Sequence, residues 1–320
     1  MYNSPLVSVG IPNYNYAQYV TLALDSVVGQ DYENMEVIIV DDLSTDNSIQ
    51  VIENWINSYK GTKKITFIKN SVNLGLTKVC NLLLNHSAGK YFQPLDADDI
   101  LLQGKLTKQV SILEGNKDAA FIYSNAKVIN EVGDLDETDY LARINYDCNQ
   151  MPSGRIKEKL LEFNFVSLPT VLIRTEMVKE VGGFNESLQV QDYYMWLKLS
   201  GKYECLYMND FTAKYRVHSN SMGNSSRSNT RSEDSVLNIK WPYYSSSAAP
   251  IQQIIKRNIQ NSSVYLYEHN YPTAKKWIKL AFKLKPGPKT FFYFIVSQLG
   301  IPFSYIKRLK KKYHNNGIGD

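Results

Sequence analysis

A chain of 320 residues with 43% hydrophobic and 21% charged residues can bury a full core, which excludes a disordered or fibrous protein. The net charge of +5 conceals a division: residues 251–320 carry 13 of the 36 Lys+Arg but only two acids, Glu268 and Asp320, leaving the rest of the chain net acidic. Three scattered cysteines (Cys80, Cys148, Cys205) lack metal-ligand spacing and argue against a disulfide framework, and no basic, apolar leader precedes Asn13, so a reducing, cytoplasmic setting is expected.

From the N-terminus, short apolar runs alternate with segments of helical period. Residues 6–11 (LVSVGI), 36–40 (EVIIV), 65–69 (ITFIK) and 91–95 (YFQPL) read as buried strands. Between them, 17–29, 46–59 and 76–86 space their apolar residues three and four apart, as in Ile49, Ile52 and Ile56, and read as helices. That alternation predicts an α/β fold: a Rossmann-like, mostly parallel central sheet flanked by helices. A helix over 103–114 and a strand over 119–124 follow. Next come a helix over 156–163, a strand over 170–174 and a turn at 182-GGFNE-186. A helix over 191–200 and a strand over 213–217 complete this part.

A Ser/Asn/Arg-rich stretch after residue 220 predicts a linker over 223–250. Beyond it, 251–268 and 272–285 read as helices of a basic C-terminal region, 251–320. Residues 290–306 hold no charge, yet Ser297, Gln298, Gly300, Pro302 and Ser304 interrupt them, which argues against a membrane span. The basic run 307-KRLKKK-312 follows, and aromatics beside it suit peripheral contact with an anionic membrane through 290–313.

In open α/β sheets ligands bind at the carboxyl ends of the strands. Here those ends read 12-PNYN-15, 41-DDLSTD-46 and 96-DADD-99. Like charges crowded at 96–99 make sense around a cation, and hard oxygen ligands favour Mg2+ or Mn2+, with Asp98 as direct ligand and Asp96 on the nucleotide side. A solvated turn capping the next helix would use the same residue types.

The order P-x-Y-N (Pro12, Tyr14, Asn15), V-D-D-x-S-x-D (Val40 to Asp46), N-x-G (Asn73, Gly75) and L-D-A-D-D (Leu95 to Asp99) resembles family 2 glycosyltransferases of the GT-A fold. The likeness continues through GGFNE, QDYYMWLKL (Gln191 to Leu199) and YRVH (Tyr215 to His218), and covers about residues 5–222. It implies a GT-A domain over 1–222, with a nucleotide-sugar half over 1–100 and an acceptor half over 101–222. Pro12, Tyr14, Asn15 and Asp41 would hold the nucleoside, Tyr14 against a uracil ring. Asp96 and Ala97 would contact the ribose or sugar, Asp98 would bind the metal on the diphosphate, and His218 would complete that site. Asp192 matches the catalytic base of the family's E-D-x-x-x-W motif, whose flanking positions Gln191 and Trp196 would face the acceptor. Two departures stand out. Gln191 replaces the usual Glu, and Cys80 replaces a common Arg, leaving Lys78 to supply the positive charge.

The expected activity is inverting, metal-dependent transfer from a nucleotide-sugar donor, UDP-linked, to a glycan or lipid-linked glycan in surface polysaccharide assembly. The enzyme would sit peripherally on the inner face of a bacterial cell membrane. A nucleotidyltransferase acting on sugar phosphates would want a glycine-rich basic loop, and 10-GIPNYN-15 has one glycine and no cation. A non-catalytic glycan-binding relative is the other competitor. No nucleic-acid partner is expected, because no aromatic–basic recognition motif accompanies the tail.

Overall fold

The computed structural model describes residues 4–147, 150–219, 226–306 and 308, with the backbone alone for 226–229. Cys148, the start of the Ser/Asn-rich stretch and all of the run 307–312 except Arg308 lie outside the described residues. The chain divides into two compact units, residues 1–219 and 220–320.

The first unit is built on a nine-stranded sheet. Strands β1 (Val7–Asn13), β2 (Met35–Asp41), β3 (Lys64–Lys69) and β4 (Tyr91–Pro94) run parallel in the order β3-β2-β1-β4. Helices α1 (Val20–Val28), α2 (Ser48–Ser58) and α3 (Leu76–His86) connect them, as the alternating pattern predicts. Every residue of β2 is buried, the pattern of a strand covered on both faces. Glu36 tolerates that burial because Ser8 Oγ (2.7 Å), the Ala88 N–H (2.9 Å) and Lys64 Nζ (3.1 Å) all donate to it. Gly10 in β1 is required by space: a Cβ there would lie 2.7 Å from the Phe92 ring on β4.

Past β4 the sheet becomes mixed. Strand β8 (Leu172–Arg174) pairs antiparallel with β4 and with β6 (Ala119–Ile129). Strand β9 (Glu204–Arg216) runs parallel to β6, β5 (Ile100–Leu101) pairs antiparallel with β9, and β7 (Leu135–Asp139) pairs with β6. Strands β6 and β9 are longer than 119–124 and 213–217. Asn125, Lys127, Asn209 and Asp210 break their apolar pattern, yet the two strands satisfy each other's backbone through an irregular register. Helices α4 (Lys105–Gly115), α5 (Tyr140–Arg143), α6 (Lys157–Glu162), α7 (Thr175–Glu180) and α8 (Gln191–Lys202) complete the unit.

The second unit is helical: α9 (Ser226–Lys240), α10 (Ala249–Glu268), α11 (Ala274–Leu284) and α12 (Pro288–Gln298). The linker predicted over 223–250 is corrected by α9. Its polar composition hides buried Leu237 and Ile239, and Asp234 accepts hydrogen bonds from Thr273 Oγ1 (2.5 Å) and Trp277 Nε1 (2.7 Å) of the helix pair beyond it. Tertiary packing, rather than helix propensity, decides this segment. Among the described residues no helix is long and apolar enough to cross a membrane.

Candidate active site

The loops after β1, β2 and β4 meet at the carboxyl edge of the parallel strands. Two neighbouring carboxylates after β2 fix that edge in different directions. Asp41 accepts hydrogen bonds from Asn13 Nδ2 (2.7 Å), the Ser44 N–H (2.9 Å) and Ser44 Oγ (2.6 Å). Asp42 accepts from Asn70 Nδ2 and from the Leu74 and Gly75 N–H groups, each at 2.8 Å. Asp41 is wholly buried, with its oxygens bonded to its own loop and to β1. Asn15, in the left-handed region at φ 61°, accepts from the Thr45 N–H (2.7 Å) and so joins the first two loops. Tyr14 beside it is 45% exposed, free to offer its ring to a ligand, and Pro12 is half-buried.

The acidic loop turns tightly, with the Asp99 N–H on the Asp96 carbonyl (3.1 Å). One carboxylate oxygen from each of Asp96, Asp98 and Asp99 lies within 4.8 Å of the others. Strand β9 clamps this loop from the far side. The Arg216 N–H donates to Asp99 Oδ1 (2.9 Å) and Arg216 Nε to the Asp98 carbonyl (2.9 Å), while its guanidinium lies over the Tyr19 ring. Two residues on, His218 Nε2 stands 2.9 Å from Asp98 Oδ2.

Electrostatics single out the same groups. Burial, reinforced by Asp98 and Asp192, pushes Asp96 up to about 8. Burial together with Asp98 and Asp96 holds Asp99 well above the ordinary carboxylate range. Asp99 Oδ2 is buried without a hydrogen-bond partner. Three carboxylates, an imidazole and an unsatisfied buried oxygen fit a hard divalent cation, whose charge would relieve the crowding.

Asp192 lies in the first turn of α8, accepts from the Tyr193 N–H (2.7 Å), and is raised above its usual value by burial. It is brought to the acidic loop by a latch. The loop 182–188 is tied to α3, where Asn81 accepts from the Phe184 N–H (2.9 Å) and donates to the Phe184 carbonyl (2.9 Å), and Thr77 Oγ1 donates to the Leu188 carbonyl (2.8 Å). Cys80 on α3 lies between the two halves. Burial raises its thiol first, and Asp96 and Asp192 both add to the rise.

Several expected contacts are not made by side chains. Trp196 is fully buried with its ring 5.2 Å from that of Phe121, so it belongs to the core and not to an acceptor face. Gln191 is 5% exposed and Ala97 1%, the latter packed in the main apolar cluster. Lys78 is exposed on α3. Sequence reading missed Tyr16, whose phenol is raised by burial and by Asp98, Asp96 and Asp99, and whose ring meets His218 edge-on at 5.7 Å. It also missed Arg216, although the residue stands inside the YRVH stretch.

Comparisons with known proteins agree with this arrangement. The model of the family described as glycosyl transferase family 2 matches residues 8–182. An uncharacterized glycosyltransferase of Haemophilus influenzae is 32% identical over 228 residues, covering 69% of this chain and 68% of that protein. One from Methanocaldococcus jannaschii is 28% identical, covering 67% and 72%. One from Rickettsia felis is 35% identical over 73% of this chain, but the match spans only 37% of that protein. Among solved structures, a mannosyltransferase from Pyrobaculum calidifontis, in complex with GDP-Man and Mn2+, superposes with a TM-score of 0.63 at 17% identity, covering 93% of this chain and 81% of that one. S. aureus TarS in complex with UDP-GlcNAc gives 0.56 at 18% identity, covering 94% and 91%. These likenesses show a GT-A glycosyltransferase fold.

Proposed function

The chain belongs to glycosyl transferase family 2, and from that membership we propose that it is an inverting, divalent-metal-dependent transferase. It would move a hexosyl or N-acetylhexosaminyl group from a nucleotide sugar, UDP-linked, to a glycan or lipid-linked glycan of a surface polysaccharide. The observation that carries the reading is the meeting of two carboxylate sites. Asp96, Asp98 and Asp99 cluster at the sheet edge, and Asp192 stands near enough for its charge to raise Asp96. The fold neighbours bound to GDP-Man with Mn2+ and to UDP-GlcNAc support a nucleotide-sugar donor.

Inversion needs one displacement and no protein nucleophile. Asp192 takes the proton of the acceptor hydroxyl, whose oxygen bonds to the sugar's anomeric carbon as the bond to the diphosphate breaks. Tyr14 stacks on the base, and Lys78 supplies the cation that Cys80 does not. Asp98 and His218, with Asp99 beside them, would hold Mn2+ or Mg2+, which when bound neutralises charge on the leaving diphosphate. Tyr16 closes that side of the cluster against water. Peripheral contact with an anionic membrane through 290–313 would bring a lipid-linked acceptor within reach.

The deciding experiment follows release of nucleoside diphosphate across a panel of uridine and guanosine diphosphate sugars with Mn2+. One donor turning over, and losing turnover in Asp98→Ala, is expected. Equal release by parent and variant would overturn the proposal.

A further inference from the structure

Two half-buried tyrosines stand beside the carboxylates of the candidate site. Tyr140 opens α5, where Asp139 Oδ1 accepts from the Ala142 N–H (2.9 Å) and Asn125 Oδ1 of β6 accepts from the Leu141 N–H (3.3 Å). Tyr215 lies on β9. The antiparallel register that sets Ile100 against Lys214, carried one residue further, puts Tyr215 opposite Asp99, next to the Arg216 that holds the acidic loop. The two rings meet edge-on, with centroids 5.4 Å apart and planes at 71°.

Their surroundings join the two halves of the site. Burial raises the Tyr140 phenol first, then the charges of Asp192 and Asp99; burial raises that of Tyr215, then Asp99 and, further down, Asp96 and Asp98. Neither hydroxyl has a hydrogen-bond partner among the described residues. Tyrosines that serve packing in this unit behave otherwise: the hydroxyl of Tyr123 donates to the Pro152 carbonyl (2.6 Å), that of Tyr193 to the Leu160 carbonyl (2.7 Å) and that of Tyr91 to Glu114 (2.5 Å). The Tyr140–Tyr215 pair keeps both hydroxyls unspent, close to the group that takes the acceptor's proton.

We propose that Tyr140 and Tyr215 form the acceptor subsite, holding a pyranose ring with its reacting hydroxyl turned toward Asp192. One face of a pyranose is lined by C–H bonds, which the negative face of an aromatic ring attracts, while the phenol hydroxyls bond to the sugar's polar rim. An open-chain polyol presents no such face. The enzyme therefore extends a sugar ring and not a polyol or a bare lipid hydroxyl. The inference rests on the glycosyltransferase reading above, with Asp192 as base, and gives its acceptor half two binding residues.

The test is saturation-transfer NMR on the full chain with UDP and Mg2+, irradiating aromatic protons. The probes are the methyl pyranosides of glucose, galactose, mannose and N-acetylglucosamine, with ribitol as the open-chain control. At least one pyranoside should receive saturation, strongest at the C–H protons of one face, and ribitol none. Tyr140→Leu and Tyr215→Leu keep apolar volume but lose the ring, and each should weaken that pyranoside about tenfold, as for one ring contact. Tyr140→Phe and Tyr215→Phe should keep the one-faced pattern, with the few-fold loss of a single hydrogen bond. The same sugar should accelerate nucleoside diphosphate release, and the Leu variants should raise its KM. Saturation of no pyranoside, equal saturation of ribitol, or Leu variants that melt and bind like the parent would overturn the subsite. Donor turnover without pyranoside binding would overturn the subsite alone. Pyranoside binding without turnover of any donor would overturn the transferase reading while keeping a pyranose site.

Discussion

His218 Nε2 stands 2.9 Å from Asp98 Oδ2 although 120 positions separate the two residues. The His218 side chain is 1% exposed and that of Asp98 13%, so the imidazole meets the carboxylate from inside the protein and leaves the outer side of Asp98 open. Asp98→Ala should abolish Mn2+ binding and sugar transfer together. His218→Ala should weaken Mn2+ binding by at least the roughly 10–100-fold seen when a group merely adjoining a metal ligand is lost, since His218 is proposed as a ligand itself. Titration by the Mn2+ paramagnetic resonance signal, without donor, reads both. Unaltered binding in His218→Ala would leave the histidine as a packing residue against Tyr16 and Tyr19.

Asp192 is expected to act on the proton and not on the cation. Asp192→Asn should lower kcat by roughly 10²–10⁴-fold, the usual contribution of a general base, with Mn2+ affinity unchanged. Burial raises its pKa, so the acid limb of kcat should lie above the ~3.9 of a free aspartate. The sign is fixed: falling pH protonates the base and slows transfer, and this limb should be absent from the residual rate of the Asn variant. A limb retained in that variant would place the titration elsewhere.

The parallel strands and the acidic loop are legible in the sequence because both are local. EVIIV is apolar on both faces, and DADD announces its charge wherever it lies. What each carboxylate does is not local. Asp41 and Asp42 look alike in sequence, yet one turns onto Ser44 and the other onto the Gly75 N–H, and only the folded loops decide this. Arg216 reaches Asp98 across 118 positions through a strand whose polar residues hid its length. The motif points Trp196 toward the acceptor, but the face of α8 on which it lies packs against Phe121. Periodicity shows that a helix has an inner face without showing what lies beyond it.

Asn81 is the mechanical link between the halves of the site. Its amide closes two hydrogen bonds on Phe184, and its Nδ2 also reaches Glu186 Oε1 (3.1 Å). Asn81→Ala should release loop 182–188 and let Asp192 drift from Asp96. Misplacement of about 1 Å can cost on the order of 100-fold, so kcat should fall by between tenfold and that figure. Mn2+ affinity should hold, since none of the acidic loop's own bonds involve Asn81. Parallel loss of kcat and metal binding would show instead that α3 itself had moved.

Lys105 gives a stability prediction that does not depend on catalysis. It is 1% exposed at the start of α4, and its amine donates to Gln93 Oε1, Gln109 Oε1 (2.5 Å) and the Val171 carbonyl (3.3 Å), all neutral. Burial alone holds its pKa well below 10.5. Between the depressed folded value and 10.5 the unfolded chain therefore binds more proton at this position than the folded chain does. Folding stability should rise with pH through the window between the depressed folded value and 10.5, by at most about 1.4 kcal/mol per pH unit from this group. Lys105→Met removes that linkage, although it strands two amide oxygens and so lowers stability overall. Urea melts at pH 7 and pH 9 should show the parent gaining more than the variant. Equal gains would mean that Lys105 stays charged in the core, carried by its three acceptors.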